Sequence, residues 1–180
     1  GLSRFIQLPL HELTNQRICA DEVTNFFDAS FAERLCEEDN FGDRIKIIEE
    51  LFIKSLYKYD LQTDPQIAFA IEQINRHQGK LPVQSLVEDI CLCQRQFERK
   101  FKMNTGYTPK IYSRIMQFKN AVDLLRSATC DNLLSTAVHA GYYDVPHLSR
   151  EIKRMSGNTP YSFLALPSPE EEVTLTYVEA

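Results

Sequence analysis

One sixteen-residue pattern is written twice in this chain, 51 residues apart, and no other feature constrains the fold as much. The first copy runs from Phe97 to Tyr112 and the second from Leu148 to Phe163. Both read apolar, any, Arg, any, apolar, Lys, three residues, Gly, any, Thr-Pro, two residues, aromatic. Arg99, Phe101, Lys102, Gly106 and Thr108-Pro109 thus recur as Arg150, Ile152, Lys153, Gly157 and Thr159-Pro160. Recurrence at a fixed spacing means one supersecondary unit used twice. Phe97 with Phe101, and Leu148 with Ile152, lie four residues apart and share one helix face. Arg95, Arg99 and Lys102 project roughly opposite in the first copy, with Gln94 and Glu98 at the edges; Pro146, Arg150 and Lys153 do so in the second.

The rest of the chain also reads as helix. Only six glycines occur in 180 residues, strand-like alternation is scarce, and apolar residues recur at three and four. Amphipathic helices are expected over 22–37 (Val23, Phe26, Phe27, Phe31, Leu35) and 43–59 (Ile47, Ile48, Leu51, Phe52, Leu56, Tyr59), with Asp39, Asn40, Gly42 and Asp43 between them. A boundary falls near Leu61 to Asp64, where Asp64 and Pro65 suit the cap and first position of a helix ending before Gly79. Helices follow over 83–90, 93–103, 109–127, 132–139 (capped by Asp131) and 145–155 (capped by Asp144), and Pro160 opens a last turn. Residues 166–180 form an acidic tail, in which Thr174 to Val178 could pair as a strand. The expected fold is all-α, with two helix-turn-helix subdomains joined by a linker helix and preceded by an amphipathic helical segment.

The net charge of −5 conceals a strong asymmetry. Residues 1–75 carry 7 Lys/Arg against 14 Asp/Glu, residues 76–165 carry 13 against 7, and residues 166–180 carry none against four Glu. The repeat lies wholly in the basic block, which is an electrostatic footprint of nucleic-acid binding. Each basic helix also follows a shorter apolar helix across a tight turn, the arrangement that places a second helix in the major groove. Arg can clamp guanine or bind phosphate, and Lys adds phosphate affinity. A linking helix of about 19 residues spans roughly 28 Å, so two such helices on one chain could reach major grooves about 34 Å apart. Double-stranded DNA is therefore the expected partner.

At this point residues from about 76 to 165 resemble the C-terminal domain of AraC/XylS-type transcriptional regulators. The resemblance rests on Leu86-Val87, Phe97, Arg99, Phe101, Gly106, Pro109, Tyr112, Ala121 and Leu124-Leu125. It rests most specifically on Ala137, Gly141-Tyr142, Asp144, His147-Leu148, Arg150, Ile152-Lys153, Gly157 and Thr159-Pro160. It implies a DNA-binding domain over 63–165, with motifs at about 83–103 and 132–155 around a linker at about 109–127. It also implies an asymmetric promoter site and, usually, transcriptional activation through RNA polymerase in a bacterial-type, cytoplasmic setting. By position, Arg95, Glu98 and Arg99 match the base-reading face of the first motif, and Pro146, His147 and Arg150 that of the second. Lys100, Lys102, Lys110, Lys153 and Arg154 are phosphate-contact candidates.

Four positions depart from the family pattern. Thr136 stands where a large apolar residue is usual and is expected to weaken the second motif's packing. Cys93 replaces a Ser cap, Pro146 a Ser, and Gln117 a frequent Arg. Together they lead us to expect that the first motif reads sequence and the second mainly grips phosphates. Residues 1–62 look similar to the closing segment of sensor domains found upstream in some of these regulators. They are expected to pack on the DNA-binding module, to form a homodimer through their helices, or to be a helical cap without a ligand. The opening Gly1-Leu2-Ser3 suggests a fragment or a tag remnant.

Other classes are poorly supported. No apolar run approaches the ~20 residues of a membrane span. Five cysteines, an odd number, fit small buried thiols rather than a disulfide framework, and Cys91-Leu92-Cys93 lacks zinc spacing, so no metal or cofactor is expected. His11, His77, His139 and His147 have no nucleophile context, and Ser135 near His139 reads as surface polarity, so no catalytic residue is assigned. The competing reading is a degenerate helix-turn-helix protein acting as a protein-interaction module.

Overall fold

The computed structural model describes residues 10–14, 16–23, 27–58, 64–127 and 132–164. Every regular element among them is helical, as expected: a 3₁₀ turn at Leu10–Glu12, then α1 (Ala20–Val23), α2 (Ala29–Glu37), α3 (Phe41–Lys58), α4 (Pro65–Arg76) and α5 (Val83–Asp89). They continue as α6 (Gln94–Thr105), α7 (Pro109–Arg126), α8 (Leu133–His139), α9 (Val145–Ser156) and α10 (Pro160–Leu164). The expected strand at Thr174 to Val178, the acidic tail, Cys130 and the Asp131 cap lie outside the described residues.

The described residues fall into two compact units, one within Gly1–Phe69 and Cys91–Pro109, the other within Ala70–Ile90 and Lys110–Ala180. This division cuts across the boundary expected near residue 62, because α6 is tied to residues that precede it by far. The Lys100 ammonium lies 2.8 Å from the Asp64 carboxylate, and Thr14 Oγ1 donates toward the Gly106 carbonyl at 3.4 Å.

In the first unit, the single helix expected over 22–37 is broken. Asp28 is extended, and its carboxylate accepts the Phe31 N–H at 2.8 Å, so a new helix is capped at Ala29. Phe27 packs edge-on against Phe52 of α3, with ring centroids 6.1 Å apart. Helix α3 begins two residues before the expected position, because Asn40 Oδ1 accepts the Gly42 N–H at 2.8 Å. The cysteines are a correction. Cys19, Cys36, Cys91 and Cys93 are free and exposed rather than buried, since they fall at caps, in turns and on solvent faces.

The second unit has a core of Ala121, Leu125, Ala137, Ala140, Tyr142, Leu148, Ile152 and Phe163, which gathers α7, α8, α9 and α10 around the turn at Gly141. Helix α4 closes on Gly79, whose N–H reaches the Ile74 carbonyl at 2.8 Å. Gly79 has a φ of 75° and sits so close to the α7 backbone that a Cβ would run into the Ser113 carbonyl. Gly79→Ala should therefore cost about 2–5 kcal/mol, left-handed strain plus overpacking, read as a lowered urea midpoint. An unchanged midpoint would show that α4 does not close against α7.

Candidate nucleic-acid interface

In the first motif the turn between α5 and α6 passes through Ile90, which is buried, and Cys91, which adopts a φ of 53°. A left-handed non-glycine residue costs on the order of 1 kcal/mol. Cys93 then caps α6 with extended backbone but no side-chain bond, as expected of a poor cap. Phe97 and Phe101 are fully buried, edge to face at 5.5 Å. That burial leaves the opposite face to solvent. Arg95, Arg99 and Lys102 are exposed and carry no ion pair among the described residues, while Gln94 Nε2 donates to Glu98 at 3.0 Å.

Lys100 differs from its neighbours. It is half-buried, and its ammonium donates to Asp64 at 2.8 Å and to Gln66 at 3.4 Å. Burial pushes the Asp64 carboxyl up, but Lys100 and the N–H groups of Ile67 and Gln66 outweigh it and hold the group below its ordinary value.

In the second motif Asn132, not Asp131, caps α8 by accepting the Ser135 N–H at 2.8 Å. Asp144 caps α9 as expected, accepting the His147 N–H at 2.7 Å. Leu148 and Ile152 are fully buried. Pro146, Arg150 and Lys153 face solvent, and Arg150 Nε donates to the Pro146 carbonyl at 3.3 Å. His147 is half-buried, with its ring edge-on to Tyr142 at 5.2 Å. The departures also find their places. Thr136 is buried, but its hydroxyl donates to the Asn132 carbonyl at 3.2 Å, which removes the polar part of the expected packing penalty. Gln117 Nε2 donates to the Gly141 carbonyl at 2.9 Å and so holds the turn that aims α9.

Sequence reasoning missed two features. Glu151 receives a bidentate Arg114 guanidinium from α7 at 2.9 Å and also Arg154 at 2.8 Å, which fixes α9 on the linker helix and engages Arg154. Burial, with the nearby Glu151 charge, pushes the Tyr142 hydroxyl up to about 12. The second feature is hidden in the repeat itself. Thr105 Oγ1 and Ser156 Oγ donate to Phe101 and Ile152 carbonyls at 2.8 Å and accept the Tyr107 and Asn158 N–H groups at 3.2 Å. A hydroxyl 51 residues from a hydroxyl was the available signal.

A family model described as a helix-turn-helix domain matches residues 86–165. The match lies in the carboxy-terminal part of the chain, which carries a helix-turn-helix domain. Among solved structures, the xylose-binding transcription activator xylR matches with a TM-score of 0.54 at 22% identity, over 61% of this chain and 29% of its own. The DNA-binding domain of AdpA, solved with a target DNA, matches with a TM-score of 0.52 at 22% identity, over 57% of this chain and 92% of its own. The C-terminal domain of AraT, a response regulator from Geobacillus stearothermophilus, gives 0.53 at 19% identity, over 63% and 95%. At these identities the likeness is one of fold. No curated protein matches the chain significantly by sequence. Among the described residues no helix is long and apolar enough to cross a membrane, and no cluster of His, Cys, Asp or Glu could hold a metal ion.

Two measurements check how the two basic helices are held. Asp144→Ala should cost about 1 kcal/mol, whereas Cys93→Ser should stabilise by about 0.5 kcal/mol, both read from urea unfolding. The reverse order would contradict the assigned caps. Because the folded Asp64 value lies below the unfolded one, the ion pair contributes fully above about pH 4 and is lost as pH falls. Asp64→Asn should therefore cost about 0.5–1 kcal/mol near neutral pH, and the gap to wild type should narrow as pH falls below about 4.

Proposed function

We propose that this chain is a sequence-specific DNA-binding transcription regulator that inserts α6 and α9 into successive major grooves. The observation that carries the reading is the duplicated helix, which buries its apolar pair and turns Arg and Lys to solvent in both copies. The 18-residue linker α7 is about 27 Å long, which supports a reach of one helical turn of DNA. Gln94, Arg95, Glu98, Arg99, Pro146, His147 and Arg150 are the candidates for base edges, and Lys102, Lys110 and Lys153 for phosphates. Lys100 and Arg154 are weaker phosphate candidates, because each already answers a carboxylate.

Within this reading the protein acts in the cytoplasm, as an activator that touches RNA polymerase. Exposed Leu134, Tyr161 and Leu164 around an open cavity of about 590 Å³ support a protein contact on α8 and α10. Exposed Phe41, Ile45 and Ile53 on α3 support pairing of two copies through the N-terminal helices.

The first motif reads sequence and the second mainly grips phosphates, a division supported by the Arg150 bond to its own helix. On duplexes selected from a random pool, Arg95→Ala should erase discrimination against mismatched sites, worth about 1–3 kcal/mol. Arg150→Ala should weaken all duplexes alike; the opposite pattern would overturn the division. Affinity should fall steeply with salt, with log K losing about 0.9 per phosphate for each tenfold rise in salt. No affinity at low salt would reject DNA binding and leave the protein-interaction reading.

A further inference from the structure

The two copies of the repeated unit provide an internal control on what surrounds each basic helix. Gly106 and Gly157 end α6 and α9 at φ values of 83° and 74°. Each donates its N–H to the preceding Lys carbonyl at 2.9 Å. Nothing lies within 4 Å of the place a Cβ on Gly157 would take, and that glycine is exposed. Gly106 is buried, and there the same space is filled by Thr14 Oγ1 at 3.0 Å and the Leu10 carbonyl at 3.1 Å.

The filling is a compact turn. The Leu13 N–H reaches the Leu10 carbonyl at 3.2 Å. The Thr14 hydroxyl divides its proton between the Leu10 carbonyl at 3.2 Å and the Gly106 carbonyl at 3.4 Å. The opposite ends of the two helices complete the contrast. Helix α6 has no side-chain cap at its N-terminus, whereas α9 is capped by Asp144. Both helices share the glycine cap at the finish; α9 adds a carboxylate cap at its start, whereas α6 adds the turn of Leu10 to Thr14 at its finish.

We propose that Leu10 and Thr14 are positioning residues for the first recognition helix: the turn they form is a strap seated on its C-terminal cap, holding α6 ready for DNA. Seating leaves Arg95, Arg99 and Lys102 exposed, so the strap supports the DNA face and does not cover it. Releasing it frees the last turn of a helix whose first turn is already uncapped. Fraying from both ends spreads the orientations of the base-reading side chains, which costs affinity through lost preorganisation. The inference rests on the DNA-binding reading for its functional half only.

The test uses the full chain. In the free protein, Thr14→Val should speed amide hydrogen exchange at Gly106 and leave Gly157 unchanged. Gly106→Ala and Gly157→Ala share the same left-handed strain, so a larger effect of Gly106→Ala on α6 exchange isolates the strap. On selected duplexes Thr14→Val should weaken binding about tenfold, with the loss confined to the half-site that Arg95→Ala also affects. A merely structural role would lower the unfolding midpoint and weaken both half-sites together. Equal exchange at the two glycines in Thr14→Val, or an even loss across half-sites, would overturn the proposal. A wild-type chain that bound no DNA at low salt would instead sink the DNA-binding reading and leave the exchange result standing.

Discussion

Both basic helices depend on the same demand: two apolar side chains one turn apart must leave water together. Phe97 with Phe101, and Leu148 with Ile152, meet it by complete burial. Each such side chain contributes about 1.5–3 kcal/mol when fully buried. Helical periodicity then turns Arg99, Lys102, Arg150 and Lys153 to solvent. The helix is stopped soon afterwards by a left-handed glycine, and Pro109 or Pro160 starts the next one. The cationic face follows from the buried pair, and the proposed function follows from the cationic face.

One design used twice is supported in two different ways. Helix α9 has a carboxylate cap, a glutamine-held turn behind it, and Glu151 clamped by Arg114 of the linker helix. Helix α6 has no side-chain cap at its start and no glycine in the turn before it; it leans on Asp64 through Lys100 and on the turn at Leu10 to Thr14. The same chemistry is therefore presented by one helix braced within its own subdomain and another braced by the segment that precedes the domain. This is a physical basis for unequal roles, and it favours the N-terminal region as a determinant of how the first motif performs.

Local signals made most of this legible in the sequence. Asp144, Pro65 and Pro109 announced helix starts because capping chemistry acts over a few residues. The burial of Phe97, Phe101, Leu148 and Ile152 followed from spacing alone. Asp28 broke a helix that periodicity ran through, since an aspartate inside a pattern and an aspartate at a cap look alike. The cysteines misled because apolar character was judged without their positions in turns and caps. Arg114 with Glu151 lies 37 residues apart and Thr14 with Gly106 lies 92 apart. Neither pairing has a sequence signature, and both decide how a basic helix is held.

The duplication predicts that a single chain reads two successive major grooves with two copies of one unit. Hydroxyl-radical and methylation footprinting on a duplex selected from a random pool tests it most directly. The account requires two protected major-groove patches on one face of the DNA, centred about 10–10.5 base pairs apart, at one chain per duplex. A single patch, or two patches that appear only at two chains per duplex, would contradict it.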